Sequence, residues 1–486
     1  MSDILWTINE LLQATGGELR GASSDGVAKS GVTGISIDTR SLKSGELYVA
    51  IRGDRLDGHD YVAAAFDAGA GACLVSSDWA GLDDRAKLSG SLIVVEDSLE
   101  GMGAIGRAAR ARSHGKIIAV TGSVGKTGTK EALKYCLSSQ GIVHGAEKSF
   151  NNHWGVPLTL SRMPSDTEFG IFEIGMNHPG EIRPLVKMVR PHIAIITTVE
   201  PVHLGFFKSV EEIAQAKAEI FEGIEPGGIA VLNRDNPYFE QLAKRAVEVG
   251  VSNIATFGAH ESCDMRVVGM DLDATGSDVT ASYKGETFTY RLGTAGRHIV
   301  QNSLGVLLGV ALVGGDVLAA ASALGDIGPQ KGRGARQIFK IGGESGCGSI
   351  LVIDESYNAN PASMSAALEA MAGTPKAEYP RRIAVLGDML ELGEASTSLH
   401  QGLARHIDEA EIDIVFAAGP FMKSLFEALP PGKRGAYALN GDEICTALID
   451  EVRAGDIVMV KGSLGSRMGP VVAALEDHLK EISGNN

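Results

Sequence analysis

The sequence predicts an α/β protein of three domains: a small mixed α/β N-terminal domain, a central domain on a parallel sheet, and a C-terminal Rossmann-like α/β domain. The chain has 486 residues, too many for one hydrophobic core at about 150 residues per domain. Hydrophobic residues make up 44% and aromatic residues only 5%, so Ala, Val, Ile and Leu must build the cores. The 62 glycines show no three-residue period, which excludes collagen and favours many short turns.

The first predicted domain spans residues 1–112. Short apolar runs at 45–51 and 72–77 alternate there with a small helical segment at 61–69. Runs of this length, separated in this way, are typical of a small mixed α/β unit.

The second predicted domain spans residues 113–331 and has the strongest pattern. Continuous β-branched runs separated by helices predict a parallel sheet that is covered on both faces. Between about 264 and 293 the apolar residues alternate instead, which predicts a few antiparallel strands, and two helices follow. The runs lie at 116–121, 169–176, 192–199 and 227–233, and the helices at 127–138, 298–312 and 316–324.

The third predicted domain spans residues 332–486. It is entered through 325–336, which has no clear period and is predicted to be a linker. Alternating strands and helices then resume, and Pro361 stands where proline is favoured, in the first turn of a helix. The predicted strands lie at 350–356, 382–388, 412–419 and 455–462, and a final helix follows the last of them.

Charge and cysteine content exclude several classes of protein. The chain carries 44 basic and 60 acidic residues, a net charge of −16, and lacks the basic stripe of a general nucleic-acid binder. The five cysteines are scattered and odd in number, which argues against a disulfide framework or a zinc site. The first residues do not resemble a signal peptide.

The one apolar stretch long enough to suggest a membrane span is 304–324. It is interrupted by Gly314, Gly315 and Asp316, so we expect two buried helices there. We therefore expect a cytoplasmic protein that binds neither nucleic acid nor a membrane.

The sharpest motif is a glycine-rich loop that ends in Gly125-Lys126-Thr127, directly after a predicted strand and before a helix. Such a P-loop turns backbone N–H groups toward a phosphate; its lysine reaches the β- and γ-phosphates and its hydroxyl binds Mg²⁺. The loop is shorter than the common form, since Val120 stands where a glycine is usual. A glycine-rich turn with a surface lysine is the plain alternative. The central domain is thus predicted to be P-loop ATPase-like, with nucleotide-binding residues Gly122, Ser123, Val124, Gly125, Lys126, Thr127 and Gly128.

This loop and nine further motifs, in order along nearly the whole chain, resemble the Mur ligases, the ATP-dependent amide-forming enzymes of peptidoglycan synthesis. Any one motif alone would be weak, whereas ten in order are specific. The motifs lie at 37–62, 122–131, 151–160, 172–182, 202–221, 296–306, 331–337, 353–364, 387–394 and 461–468.

The resemblance implies ATP and two Mg²⁺ ions as cofactors. It assigns the metal to Thr127, Glu173, His203 and Lys217, and catalysis to Lys126, Lys217, His203 and Arg333. It also implies that Lys217 is carbamylated. On residue type alone, His203 is an ordinary structural histidine and Lys217 a solvated lysine that pairs with a helical glutamate.

For the nucleotide, the resemblance implies Asn302 at the adenine and Arg333 at the phosphates, with Asp354, Tyr357 and Asn358 beside them. Arg336 is close enough to Arg333 in sequence to be the functional arginine instead. The chain also has Glu355 where the family commonly has an aspartate, so either Asp354 or Glu355 can approach the nucleotide. Without the resemblance, Asn302 would equally well satisfy a local backbone group.

For the other substrates, the resemblance implies a UDP-binding motif in the N-terminal domain and further contacts in the other two domains. The plain alternatives are a solvated turn at the N-terminal motif, an N-cap at Asn360, and capping of the last helix by Lys461 and Ser463. The residues implied are Asp38, Thr39, Arg40, Asn151, Asn152, Asn360, Lys461 and Ser463.

Within the family, the YNANP segment at 357–361 and the lack of a DNPR motif favour the member that joins D-alanyl-D-alanine to UDP-N-acetylmuramoyl-tripeptide. The implied route is an acyl phosphate, and the implied state is a monomer. Whether the tripeptide ends in diaminopimelate or lysine stays open. Alternatives are another Mur enzyme, a folylpolyglutamate synthase, or a P-loop regulatory module that binds ATP without turning over these substrates.

Overall fold

The computed structural model of the chain describes residues 4–21, 31–53, 56–79, 90–147, 149–201, 205–273, 276–294, 296–328, 331–343 and 346–483. Three main β-sheets follow one another along the chain, and each lies within one predicted domain. The α/β fold class is therefore confirmed, while the boundaries at 112/113 and 331/332 stay predictions.

The first domain is built on a five-stranded sheet in the order β2-β7-β6-β5-β4, parallel except for β2. Strands β1 and β3 pair separately. The elements are β1 Trp6–Thr7, α1 Ile8–Thr15, β2 Glu18–Arg20, β3 Gly31–Val32, β4 Ile35–Ser36, β5 Leu47–Val49, α2 Val62–Asp67, β6 Ala72–Ser76, β7 Leu92–Val95 and α3 Ser98–Arg112.

The central domain has a nine-stranded sheet in the order β16-β15-β14-β13-β12-β11-β8-β10-β9. It is parallel from β9 to β14, and β14, β15 and β16 are antiparallel. The elements are β8 Lys116–Thr121, α4 Lys126–Ser138, β9 Val143–Gly145, α5 Gly155–Ser161, β10 Phe169–Glu173, α6 Ile182–Val189, β11 Ile193–Ile196, α7 Val210–Ala218, β12 Ile229–Asn233, α8 Phe239–Glu248, β13 Asn253–Gly258, β14 Met265–Leu272, β15 Ser277–Tyr283, β16 Glu286–Leu292, α9 Arg297–Leu312 and α10 Val317–Leu324.

Strand β8 shows why the central runs are continuously apolar. Ile117 and Ala119 enter the core on one face of the sheet, while Ile118 and Val120 enter the core on the other. Because alternate residues of a strand point to opposite faces, a strand covered on both sides needs an apolar residue at every position. The predictions of a parallel sheet and of a few antiparallel strands are confirmed, and the antiparallel strands lie at one edge of that sheet.

The C-terminal domain has a six-stranded sheet in the order β17-β18-β22-β19-β20-β21, parallel except for β17. Two hydrophobic cores flank it. The elements are β17 Ala335–Gly343, β18 Gly346–Glu355, α11 Pro361–Ala372, β19 Arg381–Gly387, α12 Ser396–Glu409, β20 Ile414–Ala418, α13 Met422–Ala428, β21 Arg434–Ala438, α14 Gly441–Glu451, β22 Asp456–Lys461 and α15 Gly469–Ser483.

The stretch at 304–324 forms parts of two helices, α9 and α10, as predicted. No helix within the described ranges is long and apolar enough to cross a membrane. Strand β17, which begins at Ala335 inside the predicted linker, was not predicted. The edge strand β21 and the helix α3 were not predicted either.

Candidate active site

The phosphate loop connects β8 to α4 at the carboxyl edge of the central sheet, where open α/β sheets bind ligands. Two of its residues must be glycine. Gly122 has φ 151° and a Cβ there would collide with the Thr197 hydroxyl, while Gly125 has φ 84° and a Cβ would collide with the Asn302 amide. The glycines therefore allow both the turn and the close packing of the loop against its neighbours.

The loop is held in shape by its own lysine and by the segment after β11. Lys126 Nζ donates to the carbonyl of Gly122 at 2.7 Å and to that of Ser123 at 3.3 Å. The Ser123 N–H donates to the Thr198 carbonyl at 2.9 Å, and the Ser123 hydroxyl lies 2.8 Å from the Glu200 nitrogen. The lysine ammonium thus lies over the loop, where it can contact a bound phosphate.

Glu173 ends β10, directly beside β8 in the sheet. Its residue exposure is 2%. Its Oε1 accepts a hydrogen bond from Asn151 Nδ2 at 2.7 Å, whereas its Oε2 is buried with no hydrogen-bond partner among the described residues. A buried carboxylate oxygen is seldom left without a partner, and carboxylate oxygen is a preferred ligand of Mg²⁺.

The Thr127 hydroxyl lies between two other side chains. It is 3.3 Å from the Ser149 hydroxyl, and it accepts from Arg333 Nη2 at 3.3 Å. Ser149 was not among the predicted residues, and one sequence holds no signal for it beyond its place two residues before Asn151. Arg333 thereby brings the start of the C-terminal domain to the phosphate loop.

Lys217 lies on α7 with only 2% exposure. No carboxylate in the described part of the chain lies within ion-pair distance of it, so the plain alternative of a solvated, paired lysine is wrong. Burial, together with the charge of Lys126, holds the pKa of Lys217 well below its usual range. Burial also lowers the pKa of Lys126. The negative charge of Glu173 opposes this shift, and the positive charge of Arg333 adds to it. Lys126 therefore lies within electrostatic range of Glu173, Arg333 and Lys217, so three basic side chains share this site with one carboxylate.

Comparisons with known proteins agree with this geometry. Three family models match: the catalytic domain of the Mur ligase family at 31–110, the Mur ligase middle domain at 120–310, and the glutamate ligase domain of Mur ligases at 339–464. UDP-N-acetylmuramoyl-tripeptide–D-alanyl-D-alanine ligase of Rickettsia prowazekii is 35% identical over 90% of this chain and 94% of its own length. The chain belongs to the Mur ligase family.

Other relatives also align with almost the whole length of this Mur ligase. The Escherichia coli protein with the same name is 31% identical over 97% of this chain and 98% of its own length. A crystal structure of MurF from Acinetobacter baumannii is 28% identical, with a TM-score of 0.82 over 97% of this chain and 99% of that one. MurF of Thermotoga maritima in complex with ADP is 26% identical, with a TM-score of 0.74 over 92% and 98% of the two chains.

In this Mur ligase, Arg333 and not Arg336 lies at the phosphate loop. The Arg333 guanidinium stacks on the Tyr357 ring at 4.4 Å. Arg336 is partly buried, in the field of Glu355. The Asp354 carboxylate accepts from the Gly332 N–H at 2.8 Å and from the Ser356 hydroxyl at 2.6 Å. Asp354 thus holds the segment that carries Arg333, and contact of Asp354 with a nucleotide stays a prediction.

The other residues predicted in the C-terminal domain lie near the ends of β18 and β22. Lys461 Nζ contacts Glu355 Oε2 at 3.1 Å and donates to the Asn358 carbonyl at 3.0 Å. The Ser463 hydroxyl accepts from the Leu390 N–H at 3.0 Å. Capping of the last helix by Lys461 and Ser463 is therefore wrong. Asn360 caps α11, as its plain alternative predicted, and its side chain accepts from Ser363 N at 2.9 Å.

The two neighbouring asparagines serve different elements. Asn151 bonds Glu173, as described above, whereas Asn152 Oδ1 accepts from the Gly155 N–H at the start of α5, at 2.9 Å. Their contact with substrate stays a prediction. Asn302 lies against Gly125, and Gly128 faces open space on α4.

The predicted UDP motif follows β4 in the N-terminal domain. Asp38 and Arg40 form a bidentate ion pair, with Nη2 and Oδ2 2.7 Å apart, and the Arg40 side chain is 88% exposed. Thr39 between them is half-buried. His203 lies outside the described residues.

Proposed function

We propose that this chain is an ATP-dependent, ADP-forming ligase that joins D-alanyl-D-alanine to UDP-N-acetylmuramoyl-tripeptide in peptidoglycan precursor synthesis. The observation that carries the proposal is the meeting of Lys126, Thr127, Glu173, Lys217 and Arg333 at one sheet edge. The substrates are those in the names of relatives that match over nearly their whole length. The monomeric state and cytoplasmic location implied by the resemblance stay predictions.

The residues present fit a magnesium ion. Glu173 Oε2 is a buried oxygen without a hydrogen-bond partner in the described structure, and the Thr127 hydroxyl lies at the first turn of α4, beside the phosphate loop. Glu173 and Thr127 would hold the ion, which would neutralise phosphate charge during transfer. Lys217 is buried and has a lowered pKa, a condition in which a neutral amine is available to react with CO₂. That supports the proposed carbamylation.

In the first step, a carboxylate oxygen of the tripeptide forms a bond to the γ-phosphorus of ATP. The bond from that phosphorus to the β–γ bridging oxygen breaks, which gives an acyl phosphate and ADP. Lys126 and Arg333, which both contact the phosphate loop, would neutralise the phosphate oxygens without a proton transfer. Since phosphoryl transfer needs little covalent help, positioning and charge are the main contributions of this chain.

In the second step, the amine of D-alanyl-D-alanine attacks the acyl carbon. A C–N bond forms, the C–O bond to phosphate breaks, and the amine loses one proton to the medium. The C-terminal domain would present the amine, and its closure would keep water from the acyl phosphate.

The test is a reconstituted reaction with purified protein, ATP, Mg²⁺, D-alanyl-D-alanine and UDP-N-acetylmuramoyl-tripeptide, run separately with the diaminopimelate and lysine forms. We expect ADP and a UDP-linked pentapeptide in equal amounts, measured by a coupled assay and mass spectrometry. Omission of either the tripeptide or D-alanyl-D-alanine should stop product formation. Equal ADP release without the tripeptide would refute the ligase assignment and favour a P-loop module of another function.

A further inference from the structure

Two segments of the chain have no role in the proposed chemistry, and they meet in space. One is the loop 388–395, which follows β19 in the C-terminal domain. The other is the segment 205–208, which precedes α7 in the central domain. The Gly205 N–H donates to the Glu391 carbonyl at 3.2 Å.

The loop 388–395 is fixed firmly within its own domain. The buried Asp388 carboxylate accepts from the Met422 N–H at 2.8 Å. His400, also buried, accepts at Nε2 from the Met389 N–H at 2.9 Å, and its Nδ1 lies 2.6 Å from the Ser396 carbonyl. The loop is therefore anchored to its own domain by buried polar groups that take no part in the proposed chemistry.

The outer part of this loop presents backbone instead of side chains. Glu391 and Gly393 both have left-handed φ values, 65° and 59°, which turn the chain sharply. A Cβ on Gly205 would lie 3.0 Å from the Gly393 nitrogen and 3.2 Å from the Gly393 Cα. Backbone atoms cannot swing aside as a side-chain end can, so a Cβ at position 205 would force the two segments apart by a few tenths of an ångström. Glycine is favoured here by space and not by an unusual φ.

The segment that carries Gly205 connects the phosphate loop with Lys217. Its beginning is bonded to that loop through Thr198 and Glu200, both held by Ser123. Past Gly205, Ser209 caps α7, the helix of Lys217, with Ser209 Oγ 3.3 Å from Glu212 N. A domain that docks on Gly205 therefore docks on a segment tied to the nucleotide site at both ends.

We propose that the Gly205–Gly393 contact positions the C-terminal domain over the nucleotide site, and that Gly205 and the loop 388–395 are positioning residues for amine transfer. The inference rests on the proposed function, because the C-terminal domain is proposed there to bring the amine. Backbone packed against backbone is sensitive to a single added methyl group, which makes the proposal testable with small substitutions.

The test compares Gly205→Ala and Gly205→Val with Gly402→Ala, a control on α12 where an added Cβ meets open space. We expect kcat to fall about tenfold for Gly205→Ala and up to about a hundredfold for Gly205→Val, since a misplacement of 1 Å costs about a hundredfold and a smaller one costs less. The KM for D-alanyl-D-alanine should rise, while ADP affinity, measured by calorimetry, and the melting temperature should match wild type. Gly402→Ala should behave as wild type.

Small-angle scattering supplies a readout that does not depend on turnover. With an ATP analogue, Mg²⁺ and the tripeptide bound, Gly205→Val should keep a larger radius of gyration than wild type. Wild-type kcat and scattering in Gly205→Val would overturn the proposal, and so would an equal loss of ADP affinity, which would indicate a local effect on the loop. A wild-type protein that never turns over would refute the proposed function instead, while the scattering comparison would still decide the contact.

Discussion

The hydrogen bond between Asn151 and Glu173 leads to a prediction about the proposed magnesium site. Asn151→Ala removes the 2.7 Å bond from Nδ2 to Oε1 and leaves a buried carboxylate without that donor. The freed carboxylate can then turn toward Lys126, whose pKa it already affects, and the metal must compete with that pairing. A hydrogen bond to a charged group is worth about 1.5–3 kcal/mol, and residues that orient a metal ligand contribute about 10- to 100-fold in affinity.

We therefore expect Asn151→Ala to need about 10- to 100-fold more free Mg²⁺ for half-maximal ADP release at saturating ATP. Asn152→Ala is the matched control, since it removes only the bond to the start of α5. Loss of that hydrogen bond should cost about 1 kcal/mol, or about 2–4 °C in melting temperature, without change in the Mg²⁺ curve. Superimposable Mg²⁺ curves for Asn151→Ala and wild type would refute the reasoning.

Three further predictions concern single side chains. Lys126→Ala should abolish turnover with an unchanged circular dichroism spectrum, because the loop loses its phosphate-binding cation; residual activity near wild type would contradict the loop assignment. Arg333→Lys should lower kcat about 10- to 100-fold, and Arg336→Lys should not, since only Arg333 contacts Thr127 and stacks on Tyr357; equal kcat values would contradict this. Burial holds the pKa of His400 below its ordinary 6.5. Below pH 6.5 the unfolded chain therefore binds a proton at His400 more readily than the folded chain does. The free energy of unfolding should fall as the pH falls, by at most about 1.4 kcal/mol per pH unit. Urea unfolding between pH 7 and 5 should show a smaller loss for His400→Gln, and identical slopes would contradict the assignment.

The central domain was the easiest part to predict from sequence. Burial on both faces of β8 requires an unbroken apolar run, and a P-loop requires its strand, glycines and helix in a fixed order. Strand β17 was missed because it begins inside the linker, directly after Arg333 and Gly334. Strand β17 is stabilised by its antiparallel partner β18, which pairs with it along its whole length. Pairing with another strand leaves no periodic pattern of apolar residues at 335–343.

The site residues show a different limit of prediction from sequence. Asn151 and Asn152 are the same residue type at adjacent positions, yet one orients Glu173 and the other bonds a helix end. Asp354 and Glu355 are both acidic, yet Asp354 turns to the linker backbone and Glu355 to Lys461. Motif matching can place such residues near a site, but contacts between distant segments decide what each one holds.

The net charge of −16 gives no indication that the central site receives a polyphosphate. Acidic residues elsewhere form ion pairs, as Glu222 does with both Arg183 and Arg245. In the central site, by contrast, the charge of Arg333 adds to the lowering of the pKa of Lys126, and the charge of Lys126 adds to the lowering of the pKa of buried Lys217. Two cations forced together in a poorly solvated place are costly for the folded chain, and a bound anion relieves that cost. The charge that matters for ligand binding is therefore the local one, and an acidic surface around such a site is fully compatible with anionic substrates.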